Sequence, residues 1–209
     1  MRSVIMEAPG KVVVNEVEKP TLLEPTDAII KLAASCICGS DLWPYRGADA
    51  EPVDHRSMGH EYIGEVVEVG SEVTTVAPGD FVVGSFCISC GECEICTAGY
   101  PSRCLKASAA GDAFIGMRSN GTQAEYARIP FADGTLVKTP ATPTEEQIPH
   151  LMAASDVLGT GWYAADAAKA GPGKTIVVVG DGAVGLSAVI GAKQLGAEKI
   201  IIMSRNPER

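Results

Sequence analysis

No run of apolar residues in this 209-residue chain reaches the length of a membrane span, and Met1 to Val14 contains no long apolar stretch with a small-residue cleavage site. A membrane-spanning helix and an export signal are therefore not expected, and a cytoplasmic location is. Nothing points to an oxidising compartment, so the seven cysteines should stay reduced. Positive charge is scarce too: 17 Lys and Arg stand against 26 Asp and Glu, for a formal net charge of −9. That balance argues against the basic patch a nucleic-acid surface needs and leaves small molecules as the expected partners. Internal repeats and low-complexity tracts are absent as well. A hydrophobic share of 46% is enough for a real core, in one large domain or two small ones.

Four of the cysteines crowd into one short segment, Cys90, Cys93, Cys96 and Cys104, with the spacing C-x2-C-x2-C-x7-C. As thiolates they can surround one tetrahedral Zn²⁺ at about 2.3 Å per sulfur. Such a shell is full, so this is expected to be a structural site with no position for a substrate. Disulfides or plain core cysteines are the alternatives, and the metal-like spacing argues against both. Cys36, Cys38 and Cys87 lie outside the cluster, where the default for a lone cysteine is a small buried hydrophobe.

From Lys11 to about Gly134 the chain reads as short β-rich pieces, a pattern of a partly closed barrel or sandwich. Strands are expected over Val12 to Val17, Ala28 to Ala34, Ile63 to Val69, Asp80 to Ser85 and Gln123 to Ile129. Pro9-Gly10, Gly70-Ser71, Pro78-Gly79 and Asn120-Gly121 supply the turns between them. After Pro140 the character changes. Thr144-Glu145-Glu146 looks like a helix start, and the Ala-rich stretch Leu151 to Ala170 is expected to form a helical bridge.

Thr175 to Val179 then suits a strand buried on both faces, and Gly180-Asp181-Gly182-Ala183-Val184-Gly185 follows it directly. A helix to about Leu195 and a second strand over Lys199 to Met203 complete the context that the G-x-G-x-x-G dinucleotide fingerprint requires. Gly180 permits the turn, Gly182 lets backbone approach a pyrophosphate, and Gly185 lets helix and sheet pack closely. The anion is expected on the helix N-terminus. About twenty residues on, where an NAD site carries an acid, the chain has Ser204 and Arg205 and no carboxylate. A hydroxyl and a guanidinium suit a 2′-phosphate, so NADP(H) is expected over NAD(H); a solvated strand-end Arg is the plainer alternative.

Three further residues, Cys38, His60 and Asp156, each have a dull explanation in a core, a turn or a solvated helix. Together they make a possible three-ligand zinc site with an open fourth position. In their order along the chain, Cys38-Gly39-Ser40-Asp41, Gly59-His60-Glu61, the four-cysteine segment and the glycine fingerprint resemble the zinc-dependent medium-chain alcohol dehydrogenases. The resemblance covers essentially the whole chain and points to the NADP-dependent branch with an aspartate zinc ligand.

It implies an α/β plus β architecture. A GroES-like β-barrel catalytic domain would span residues 1–154, and the first part of a Rossmann cofactor-binding domain would span 155–209. Cys38, His60 and Asp156 would hold a catalytic zinc, with Glu61 influencing its shell. Ser40 would take the alcohol proton, and Thr160 and Val184 would neighbour the nicotinamide. Hydride would pass between the cofactor and a small alcohol, aldehyde or ketone. Many relatives carry a histidine where Trp43 stands, so His55 or water would have to connect Ser40 to solvent. The family continues well beyond the second Rossmann strand, so the 209 residues are expected to be part of a longer protein that assembles as a dimer or tetramer. Two other functions remain open at this point: a zinc-free quinone or enone reductase on the same fold, and an inactive, zinc-stabilised binding fragment.

Overall fold

The computed structural model describes residues 1–48, 55–111, 113–116 and 121–206, and divides them into two compact units, Met1–Met152 and Ala153–Arg209. In chain order the first unit begins with β1 (Arg2–Ala8), β2 (Lys11–Glu16), β3 (Ala28–Ser35), a 3₁₀ turn over Gly39–Asp41 and α1 (Leu42–Tyr45). It continues through β4 (Arg56–Ser57), β5 (Tyr62–Val69), β6 (Phe81–Gly84), α2 (Glu94–Thr97) and α3 (Leu105–Ala109). β7 (Tyr126–Ile129), α4 (Ala132–Thr135), β8 (Leu136–Lys138) and α5 (Ile148–Met152) close it.

Five of these strands form an antiparallel sheet in the order β7-β3-β5-β6-β8, and three form a second sheet in the order β2-β1-β4. Because successive side chains on a strand face opposite ways, the larger sheet serves two apolar clusters. Ile30, Tyr62, Val66, Val82 and Ile129 enter the main core, which also takes in Cys90 and Cys104. Ile63 and Phe81 join Met152, with Ile148 and Leu151 of α5 packed against them. Each fully buried side chain of this size contributes roughly 1.5–3 kcal/mol of transfer free energy.

The segment expected as one strand from Gln123 to Ile129 is shared between the two sheets. Val4 N–H donates to Gln123 O at 2.9 Å and Ala124 bridges Ser3, so the ladder with β3 begins only at Tyr126. The same contacts explain β1, a strand that lies ahead of the expected start of the β-rich region at Lys11. Asn120, of the expected Asn120-Gly121 turn, lies outside the described residues.

Within the second unit a 3₁₀ turn over Ala153–Ser155 precedes α6 (Val157–Ala167), β9 (Thr175–Val179), α7 (Ala183–Gln194) and β10 (Lys199–Met203). The expected continuous helix Leu151 to Ala170 is thus two helices with a break between them. Asp156, with non-helical backbone angles of φ −144° and ψ −68°, marks the start of the second. Thr144 does act near the start of α5: its carbonyl accepts the N–H of Gln147 and of Ile148, and the Gln147 side chain takes its N–H at 3.0 Å. β9 and β10 run parallel in the register Thr175↔Lys199 to Val179↔Met203, the arrangement that a strand, crossover helix and strand produce. α6 packs on the small buried residues Ser187, Ala188, Gly191 and Ala192 of α7.

One buried ion pair holds the start of β3 against β7. Asp27 is 1% exposed; its Oδ2 accepts from Arg128 Nη1 at 2.7 Å and from the N–H groups of Leu23 and Glu24 at 3.0 and 2.9 Å. Removing the guanidinium leaves a buried charge, so Arg128→Ala should lower the unfolding free energy in urea by about 3–5 kcal/mol. Asp27→Asn/Arg128→Met, which removes both charges, should cost clearly less than Arg128→Ala.

Candidate functional site

The four-cysteine lobe hangs from the main core. Ser89 Oγ donates to Gly134 O at 2.5 Å and Ser89 N–H to Thr135 Oγ1 at 3.2 Å, which ties the lobe's base to α4. Cys90, Cys93, Cys96 and Cys104 are all free thiols, and their sulfurs lie within 4.8 Å of one another. Cys93 Sγ stands 3.4 Å and Cys90 Sγ 4.0 Å from Cys96 Sγ. Those distances bracket the edge of about 3.8 Å for a tetrahedron of sulfurs around zinc. Backbone N–H groups of Cys93 and Cys90 donate to Cys90 Sγ and Cys104 Sγ, both at 3.3 Å, a donor set that favours thiolates. The residues fit a closed zinc site.

The second constellation is built by strand pairing. β3 and β5 run antiparallel until Ser35 faces Tyr62, and the Ser35 hydroxyl donates to Glu61 O at 2.8 Å. Cys38 follows the end of β3 and His60 precedes the start of β5, so two residues distant in sequence leave the sheet at the same edge. Their ligand atoms and those of Glu61 lie within 4.8 Å of one another. Gly59 turns the chain into His60 at φ +94°, and a Cβ there would stand 2.6 Å from Gln123 N. Ser40 Oγ lies 3.3 Å from His60 Nε2. On the ring's other side Nδ1 lies 3.3 Å from Asp41 Oδ1, while Asp41 Oδ2 accepts Cys38 N–H at 2.8 Å.

Glu61 is buried, and the neighbouring Cys36 thiol is pushed up to about 11, first by burial and then by its hydrogen bond to Glu61. Cys36 is therefore a neutral thiol beside the cluster. Phe86 meets the His60 ring edge-on at 6.3 Å and stacks on Phe114 at 5.9 Å. Trp43 is 64% exposed on α1. The Glu7 carboxyl, held down first by Lys11 and also by His55, places that histidine near β1. A thiol, an imidazole and a carboxylate in this arrangement are a donor set that fits zinc.

In the second unit Asp156 stands at the N-cap position of α6, and its Oδ1 accepts the Thr160 hydroxyl at 2.8 Å. Gly180 turns at φ +109° after β9, and a Cβ at Gly185 would stand 2.0 Å from Gly180 O, so the first turn of α7 sits tight on the strand end. A Cβ at Gly182 would meet nothing within 4 Å, so no packing demands glycine there and the space beside it at the α7 N-terminus is open. Val184 is partly exposed in that first turn.

The end of β10 departs from the expectation of no carboxylate. Ser204 Oγ donates to Asp181 Oδ2 at 2.6 Å, so a carboxylate does reach this place. It arrives from the glycine turn and not from along β10. The Val179↔Met203 register and the bond from Gly180 N–H to Met203 O set the two strand ends side by side. Arg205 is exposed next to Ser204.

The Alcohol dehydrogenase GroES-like domain family matches residues 24–141. The chain belongs to the zinc-dependent medium-chain alcohol dehydrogenase family. It is 39% identical to zinc-type alcohol dehydrogenase B of Aspergillus flavus, over 100% of this chain and 48% of that protein. Alcohol dehydrogenase TADH from Thermus sp. ATN1 superposes with a TM-score of 0.86 at 36% identity, covering 100% of this chain and 59% of that one. A Sinorhizobium meliloti zinc-binding dehydrogenase solved bound to NADP gives 0.80 at 30%, covering 99% and 57%. The chain spans about half the length of the curated relatives it matches.

Two residues of these candidate sites, one in each unit, escaped the sequence reading. Asp41 stands three positions after Cys38, a spacing that signals a side chain folding back onto a backbone N–H, and Asp181 occupies a variable position of the fingerprint. Within the lobe the thiols differ in acidity. The Cys96 N–H, then that of Leu105, lower Cys93 to about 6, whereas burial and then the Cys93 contact raise Cys96 to about 12. Only the thiolate alkylates. In the metal-free chain iodoacetamide should therefore modify Cys93 before Cys96 and Cys36, with a rate that climbs through about pH 6. Peptide mass mapping checks this, and equal rates at Cys93 and Cys96 would contradict it.

Proposed function

We propose that residues 1–154 are the catalytic domain, and 155–209 the first part of the cofactor domain, of an oxidoreductase that moves hydride between NADP(H) and a small alcohol or its aldehyde or ketone. The observation that carries this reading is the convergence of Cys38, His60 and Glu61 at the shared end of β3 and β5, with Ser40 Oγ 3.3 Å from His60 Nε2. A zinc-free reductase on the same fold gives no reason for that donor set. Cys38 and His60 would be ligands, with Asp156 as the third and Glu61 beside the shell. A zinc ion held there supplies Lewis acidity to the oxygen of an alcohol or carbonyl. Ser40 is too weak a base to keep the alcohol proton, and its hydroxyl passes it towards solvent. The lobe of Cys90, Cys93, Cys96 and Cys104 holds a structural zinc and stiffens the loop that carries it.

On the cofactor side Gly180, Gly182 and Gly185 with the α7 N-terminus take the pyrophosphate, and Thr160 and Val184 flank the nicotinamide. Ser204 and Arg205 take the 2′-phosphate, and the NADP-bound Sinorhizobium meliloti relative supports this choice. Asp181 works against it, since its carboxylate holds the Ser204 hydroxyl and repels a phosphate. No helix among the described residues is long and apolar enough to cross a membrane. The full-length protein is read as a cytoplasmic enzyme that meets small substrates and assembles as a dimer or tetramer.

Metal analysis should find two zinc ions per chain, and one or none would count heavily against the reading. In the full-length enzyme kcat/KM should favour NADP(H) over NAD(H). Arg205→Asp should cost about 10–100-fold with NADP(H), the worth of a charge-assisted hydrogen bond, and little with NAD(H). Asp181→Asn should shift the preference the opposite way. Equal use of both cofactors by the parent enzyme sinks the NADP(H) assignment.

A further inference from the structure

We infer that Gln123 is a positioning residue for the Cys38–His60 centre, acting through the carboxylate of Asp41; this rests on the zinc reading given above. The backbone of Gln123 is held on both sides. Its N–H donates to Met58 O at 2.9 Å, and its carbonyl accepts Val4 N–H at 2.9 Å. With the main chain fixed between β1 and the segment leading into His60, the side-chain amide has a defined reach. Nε2 donates to Cys36 O at 3.0 Å and to Asp41 Oδ2 at 3.3 Å.

Asp41 is 8% exposed, and the division of its two oxygens matters. Oδ2 takes the Cys38 N–H and the Gln123 amide, while Oδ1 faces His60 Nδ1 at 3.3 Å. Two donors on one oxygen pin the carboxylate plane and aim the other oxygen at the imidazole. With Nδ1–H directed to Asp41, Nε2 is the nitrogen left to bind metal, on the side where Ser40 lies. The amide's other bond, to the Cys36 carbonyl at 3.0 Å, holds Nε2 in place to reach Asp41, so the effect on the centre runs through that carboxylate. Polar partners of this kind typically change metal affinity 10–100-fold when removed.

The test is a double-mutant cycle on the 209-residue chain, read by metal binding. Gln123→Met keeps the side-chain length and loses both donors. Zn²⁺ competition against a chelator, with Co²⁺ visible bands as the signature of the mixed thiolate–imidazole site, should show about 10-fold weaker binding at the Cys38–His60 centre. The four-cysteine site and the thermal midpoint should change little. In an Asp41→Ala background the same substitution should alter affinity less than twofold, because the route to His60 is already cut. Equal affinity of Gln123→Met and parent overturns the proposal, and so does a full 10-fold loss that persists in the Asp41→Ala background. Should the parent show only the four-thiolate cobalt spectrum, the zinc reading itself fails, and that outcome is distinct from failure of the Gln123 role alone.

Discussion

The antiparallel pairing of β3 with β5 is the interaction on which the rest of the first unit depends. Through it Ile30, Tyr62 and Val66 share a core on one face, and Ile63 meets α5 on the other. The ladder also determines where the candidate metal site lies, since its last pair, Ser35↔Tyr62, releases Cys38 and His60 at one edge. Two register irregularities, between Ile29 and Ile30 and between Leu32 and Ala34, interrupt it on the β3 side. Such irregularities bend and re-aim a strand end, and here the re-aimed end is the one that carries a ligand loop.

The two candidate metal sites are held by different means. In the lobe the protein surrounds sulfur with its own backbone N–H groups, so the thiolates are stabilised locally by a few turns of chain. At the Cys38–His60 centre the ligands themselves are few and the support is remote. Asp41, Gln123 and the Ser35 hydroxyl, drawn from three separate segments, hold the two loops. The first arrangement is local, while the second depends on distant segments and sets Ser40 Oγ 3.3 Å from the imidazole. Phe86, edge-on to the imidazole, and Phe114, stacked on Phe86, add an apolar flank to His60.

Legibility in the sequence followed the same division. Both the lobe and the glycine turn are written in consecutive residues, so their spacing alone identified them. Most of the larger sheet was visible from apolar runs between turn residues. β1 was not, because Arg2 to Ala8 mixes charged and apolar residues and draws its stability from Val13, Gln123 and Ala124 across the sheet. The break before Asp156 was hidden by high helix propensity on both sides of it. Asp41, Gln123 and Asp181 matter through contacts made by tertiary pairing, which no local window contains. Asp181 shows this most plainly: it reaches Ser204 because parallel strands end in register.

Since Cys38 and His60 are brought together by the ends of a ladder, the length of chain between them is not part of the centre's geometry. Lengthening a flexible surface connection costs only about 0.6 kcal/mol per doubling. Insertions between the two ligand loops are therefore cheap over evolutionary time, provided β3 and β5 keep their pairing. A slip of one residue in that pairing would instead turn each strand's faces over. The four-cysteine lobe has no such freedom, because its ligands share one short loop and each added residue moves a sulfur. Across a family, fixed spacing is thus expected at the four-cysteine lobe, whereas Cys38 and His60 are free to drift apart in sequence while standing still in space.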